Sequence, residues 1–121
     1  MSTANQRLKI LYLAKYFADS TDEEHPVTMQ QIIAELGMHG ISAARKAIYE
    51  DIEALRVFGI DIVSVKGKYS GYYLASREFE LPELKLLADA VSSARFLTQR
   101  KSEQLLKKIE SLASVYEGRQ I

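Results

Sequence analysis

The chain has no cysteine, no net charge and no long apolar run, and each absence narrows what it can be. Without Cys there is no disulfide, no thiolate metal site and no thiol nucleophile, a composition that suits a reducing cytosol. The N-terminal apolar run Ile10-Leu-Tyr-Leu-Ala14, bounded by Lys9 and Lys15, is too short for a signal peptide or a membrane helix. The expectation is therefore a cytoplasmic chain with no membrane partner. Lys and Arg number 16, as do Asp and Glu. That neutrality argues against tight non-specific adhesion to a polyanion, but says nothing about how charge is distributed over the surface. Gly67 and Gly71 fit neither a phosphate-binding P-loop nor a dinucleotide fingerprint. His25 and His39, with no Cys and no carboxylate at i+4, make no metal-ligand pattern. The serines have no base and orienting carboxylate in a recognisable arrangement. No enzyme activity, cofactor or metal is expected.

What is present is a globular composition, 47% hydrophobic and 26% charged over 121 residues, enough for one domain with a small appendage. No internal repeat or low-complexity tract interrupts it. Residues 5–18 carry Leu8, Leu11, Tyr12, Lys15 and Tyr16 at helical spacing, with Ile10, Leu13, Ala14 and Phe17 widening the apolar side. This predicts a first helix, mostly buried. The polar run Asp19–Pro26 reads as a loop. Thr28 and Gln31 form a capping box that opens a second, short helix with Ile32, Ile33 and Leu36 facing the core.

After a glycine-containing turn, Gly37-Met-His-Gly-Ile41, a third helix is expected over about 42–58. Ser42 is its N-cap, Ile41, Ala44, Ile48, Ile52, Leu55 and Phe58 its apolar stripe, and Gly59 its terminator. Asp51, at the margin of that stripe, reads as a structural partner and not as an acid catalyst. The β-rich runs Ile60–Val65 and Tyr72–Leu74 then predict a hairpin joined by Lys66-Gly-Lys-Tyr-Ser-Gly71. Beyond Ala75 a connector leads to Pro82 at a helix start. Leu84, Leu87, Val91 and Ala94 share one helical face there, broadened by Leu86, Ala90 and Leu97. Leu105, Leu106, Ile109, Leu112 and Tyr116 share a face on a last helix.

The fold class expected is mainly α with a small β-hairpin: a winged helix-turn-helix over residues 1–76, then two C-terminal amphipathic helices over 77–121. Such an order lays the helix after the turn in a major groove and a cationic loop beside the backbone. The candidate contacts to double-stranded DNA follow from this. With Ile48 at the centre of the buried face, Ser42, Arg45, Lys46, Tyr49 and Arg56 share a solvent-facing flank at about 100° per residue. Ser42, Arg45 and Lys46 lie at the end presented to base edges, where Arg can hold guanine bidentately. Tyr49 suits a phosphate or a thymine methyl. Lys66, Lys68 and Tyr69 occupy the wing, and Thr28 suits either a cap or a phosphate donor. The rival reading is a winged-helix protein–protein interaction module without DNA binding, because a fold does not fix a function.

Arg45-Lys-Ala-Ile-Tyr-Glu-Asp-Ile-Glu-Ala-Leu-Arg-Val-Phe-Gly-Ile60, Gly71-Tyr-Tyr-Leu74 and Phe79-Glu-Leu-Pro-Glu-Leu84 together resemble the N-terminal region of bacterial WYL-domain transcriptional regulators. The resemblance runs from about Arg7 to Leu112. It implies transcription regulation by a DNA-binding homodimer, with the helices over 77–121 as linker or dimerisation segment. It also implies an effector bound by a C-terminal sensing domain. The chain departs from that pattern in having no Trp, hence no Trp-Tyr-Leu motif, and in ending where the sensing domain is expected. The expectation is thus a fragment of a longer regulator, or a short form. It departs also in the turn, where Met-His-Gly-Ile-Ser-Ala-Ala separates Gly37 from Arg45.

Overall fold

A computed structural model describes residues 3–67 and 70–121, with side chains from residue 6 onward. The elements run α1 (Thr3–Ser20), α2 (Met29–Met38), α3 (Arg45–Phe58), β1 (Ile62–Val65), β2 (Gly71–Leu74), α4 (Leu81–Ser93), α5 (Gln99–Glu110) and α6 (Val115–Gly118). The architecture is mainly helical with one small antiparallel hairpin, as the patterning predicts. The chain divides into two compact units, Met1–Ser76 and Arg77–Ile121. Among the described residues no helix is long and apolar enough to cross a membrane.

The first unit forms around one apolar cluster. Leu13 and Phe17 come from α1, Met29, Ile32 and Leu36 from α2, and Ile41 from the turn. Ile48, Ile52 and Leu55 come from α3, and Val27 and Ile62 complete it. Each fully buried aliphatic side chain of this kind stabilises the fold by roughly 1.5–3 kcal/mol. The core face of α1 is the Leu13–Phe17 side. Leu8 and Leu11, expected in the apolar stripe, are exposed, Leu11 by 62%. With both flanks of the helix carrying apolar residues, only packing decides which flank turns inward.

Helix α2 begins as predicted. Thr28 Oγ1 accepts from the Gln31 N–H at 3.1 Å, and Gln31 Oε1 accepts from the Thr28 N–H at 2.8 Å. It ends in a Schellman arrangement, with Ile41 N–H donating to Leu36 O and Gly40 N–H to Gly37 O, both at 3.0 Å. Gly40 takes φ 74°, the left-handed conformation this closure requires. Ile41 is thereby returned to the core beside Leu36, and the chain leaves the turn extended.

The start of α3 differs from expectation. The helix opens at Arg45, its N-cap is Ala44, and no side chain caps it. Ser42 lies outside the helix, where its carbonyl accepts from Gln6 Nε2 at 3.4 Å. The Schellman closure consumes residues through Ile41, and the following extended residues displace the helix start beyond Ser42. Ala44 is accordingly exposed and not part of the apolar stripe. At the other end Gly59 closes α3 in a left-handed conformation, as expected. Phe58, however, is 83% exposed and its neighbour Val57 89%. The buried stripe ends at Leu55.

The hairpin pairs Ile62 with Leu74, Val63 with Tyr73, Ser64 with Tyr72 and Val65 with Gly71. A further antiparallel bridge joins Tyr72 to Val27 just before α2, with both N–H···O distances 2.8 Å. Thr21, fully buried at the end of α1, receives the Leu74 N–H at 2.9 Å and donates to Phe17 O at 2.7 Å. Asp51 is the structural partner it was read to be. Its Oδ2 meets Lys9 Nζ at 3.0 Å, with both side chains largely buried, and so ties α3 to α1.

In the second unit, α4 starts with a Glu80–Glu83 capping box, and Pro82 is the second helical residue. Leu84 and Ala88 on α4, Ile109 on α5 and Ala113 after it are buried, with Phe79, Val91 and Ile121 partly so. The last helix is not continuous through Tyr116 as predicted. It stops at Glu110, and Ser114, fully buried, caps the short α6 by accepting from the Glu117 N–H at 3.1 Å. Ser111 and Ser114 compete for local backbone groups, which favours a break over a continued helix.

Candidate nucleic-acid interface

The seam between α3 and the hairpin is built from α3 outward. Arg45 and Lys46 are the first two residues of α3 and both are exposed. Neither forms an ion pair among the described residues, and Lys46 does not close on Glu50 at i+4. No acidic residue lies in this first turn. A helix start that carries two cations and no capping side chain or carboxylate favours an anion. Tyr49 follows one turn on, 45% exposed, on the Arg45 side of the helix.

Arg56, which the helical wheel places on the same flank, is engaged elsewhere. Its Nε donates to Ile62 O at 2.8 Å, Nη2 to Ser64 Oγ at 2.9 Å and Nη1 to Glu53 Oε1 at 3.2 Å. The guanidinium pins the end of α3 to β1 and neutralises Glu53. It is a strut between helix and hairpin.

Tyr72 is the residue that the sequence reading passed over. It stands opposite Ser64 in the hairpin, half-buried, and its ring meets that of Tyr49 edge-on, centroids 6.5 Å apart at 63°. Burial, and then hydrogen bonding and charge from the neighbouring Tyr49 hydroxyl, raise the Tyr72 pKa above the ordinary 10.0, against the opposing pull of Arg56 and Arg45. The period-2 alternation of β2 was the available signal: Tyr72 and Leu74 share the face that meets the core.

The other candidates are distributed as follows. Lys66 is exposed at the end of β1. Lys68 and Tyr69 lie outside the described residues. Thr28 is a cap whose oxygen accepts, leaving its proton to donate. Ser42 is exposed, but precedes the helix by three residues. Acidic residues also lie on the elements of this seam: Asp51 pairs with Lys9, Glu53 with Arg56, Asp61 accepts from Ser76 Oγ, and Glu50 is the exposed acid on the second turn of α3. Of the histidines, His25 Nδ1 lies 2.7 Å from Asp22 Oδ1. His39 Nε2 lies 3.0 Å from Glu35 Oε2, with its ring stacked on Tyr12. No group of three or more metal-ligating side chains occurs among the described residues.

No protein-family model, no curated protein and no solved structure matches the chain.

Proposed function

We propose that the first unit is a sequence-specific, winged helix-turn-helix DNA-binding module of a cytoplasmic transcriptional regulator. The observation that carries this reading is the start of α3. Arg45 and Lys46 project, exposed and without ion pairs among the described residues, from an uncapped helix end that follows a Schellman turn. In this reading α3 lies in a major groove with Arg45 on a guanine edge, Lys46 on a guanine or a phosphate, and Tyr49 beside them. Lys66, with Lys68 and Tyr69, braces the wing on the backbone, and Thr28 and Ser42 donate to flanking phosphates. The resemblance to WYL-domain regulators supports the same function, and a homodimer with half-sites about 34 Å apart. The exposed Leu86 and Phe96 of the second unit, 71% and 87%, are apolar surface suited to such an association.

A protein-interaction module is the second reading. The exposed Val57 and Phe58 at the far end of α3, and the exposed Glu50, which pairs with no cation among the described residues, favour it. A salt titration of binding to random and genomic-fragment duplexes separates the two, with wild type beside the double variant Arg45→Ala/Lys46→Ala. DNA binding predicts an affinity that falls with salt and a double variant whose log–log salt slope is shallower by about two. No duplex bound at about 50 mM salt by a folded wild-type chain would end the DNA reading.

A further inference from the structure

We infer that the outward face of α5 is a second contact for the phosphate backbone of duplex DNA, made by Arg100, Lys101, Lys107 and Lys108. The inference rests on the DNA-binding reading and adds to it a binding surface on the second unit. These four cations and Gln104 follow one another at i, i+1, i+4, i+7 and i+8. At about 100° per residue they fall in one stripe of α5 roughly 120° wide. All five are exposed. The opposite face of the helix is the packed one: Ile109 is buried, and Ser102 and Leu106 are half-buried. None of the four cations forms an ion pair among the described residues. Glu103, spaced to pair with Arg100 or Lys107, accepts instead from Gln99 Nε2 at 3.2 Å.

Helix stability does not account for the stripe. Lys107 and Lys108 suit the C-terminal end of the helix dipole, but Arg100 and Lys101 occupy the first turn, where no acid is present and the dipole disfavours cations. Service to an external anion does account for them. In a chain of no net charge, residues 99–108 hold four cations and one acid. The cations occupy about 12 Å of helix axis, one per roughly 3 Å. A strand of B-DNA presents one phosphate per about 3.4 Å of its own axis, a matching density of opposite sign. Gln104, in the middle of the stripe, adds a neutral donor of the kind that phosphates accept from. A membrane surface fits less well. An interfacial helix sinks its apolar face into lipid, and that of α5 is used within its own unit. Because α5 is tethered to the helix-turn-helix unit, a contact that is weak alone acts at high effective concentration once the first unit is bound.

The test is fluorescence polarisation of the full chain with a random-sequence duplex and a duplex selected from genomic fragments, at several salt concentrations, with thermal melts. Wild type is compared with Arg100→Gln/Lys101→Gln, Lys107→Gln/Lys108→Gln, the quadruple variant and Arg45→Ala/Lys46→Ala. Gln keeps nearly the helix propensity of Lys and Arg. Each α5 pair should make the log–log salt slope shallower by about two, and the quadruple variant by about three to four. Affinity should fall by the same factor on both duplexes, because phosphate contacts carry no sequence information, whereas Arg45→Ala/Lys46→Ala should also lose discrimination. The melting temperature of Arg100→Gln/Lys101→Gln should stay at or above that of wild type, which separates a ligand contact from a structural role.

Wild-type slope and affinity in the quadruple variant, with Arg45→Ala/Lys46→Ala impaired, would overturn the α5 contact while leaving the DNA reading intact. Loss in the quadruple variant with Arg45→Ala/Lys46→Ala unaffected would uphold the α5 contact and remove α3 from the groove. Failure of the wild-type chain to bind either duplex removes both readings together, and binding of poly-L-aspartate in their place, lost in the quadruple variant, would give the stripe to an acidic protein.

Discussion

Gly71→Ala is the substitution by which the packing of the hairpin is tested most directly. A Cβ at Gly71 would stand 3.0 Å from Val27 O, 3.1 Å from Pro26 Cβ and 3.4 Å from the Val27 carbonyl carbon. Carbon–oxygen contacts normally begin at about 3.3 Å, so the hairpin and the segment before α2 must part by a few tenths of an ångström. Those two segments are joined by the pair of 2.8 Å hydrogen bonds between Val27 and Tyr72. Overpacking of this kind costs about 1–3 kcal/mol, and a weakened hydrogen bond up to about 1 kcal/mol. Against this, the smaller unfolded-state entropy of Ala stabilises by about 0.4–1 kcal/mol, and Gly71 has no left-handed φ for Ala to resist. The net expectation is a loss of about 2 kcal/mol, which for a unit of this size lowers the melting temperature by roughly 8–16 °C. Near-UV circular dichroism is the assay, because every tyrosine except Tyr116 lies in the first unit and there is no Trp. A variant melting within about 2 °C of wild type would refute the close approach and the role given to the Val27–Tyr72 bridge.

Two further outcomes are expected. Lys9→Met leaves the Asp51 carboxylate shielded and unpaired, since Oδ2 has the 3.0 Å ion contact with Lys9 and no well-aligned hydrogen bond. It should destabilise by about 2 kcal/mol, and Lys9→Met/Asp51→Leu should recover much of that in a urea double-mutant cycle; a single variant as stable as wild type refutes the tie. The raised pKa of Tyr72 gives the second. The folded state holds this proton more tightly than the unfolded state, so the contribution is complete below about pH 10 and is lost as pH rises through the folded-state value. Melting temperature should fall above about pH 10 in wild type and fall less in Tyr72→Phe; identical pH profiles would contradict it.

Local chemistry made much of the fold legible. The Thr28–Gln31 capping box, the glycine turn after Leu36, the Ile48–Ile52–Leu55 stripe, the Gly59 terminator and the hairpin are each specified by residues within a few positions of one another. So is the exposure of Arg45 and Lys46, because a helical period with Ile48 inward turns those two outward. Tertiary packing decided the rest. It selected which apolar flank of α1 is buried and left Phe58 in solvent once the stripe ended at Leu55, whereas the Schellman closure through Ile41 displaced the start of α3 from Ser42 to Arg45. Packing also separated two arginines that the wheel places side by side: Arg56 reaches three acceptors, two of them on β1, while Arg45 makes no ion pair among the described residues. Tyr72 acquired a place in the seam for the same reason. Its partners Val27 and Tyr49 are distant in sequence, and a pairing across such distances follows from how elements pack, not from the pattern within any one of them.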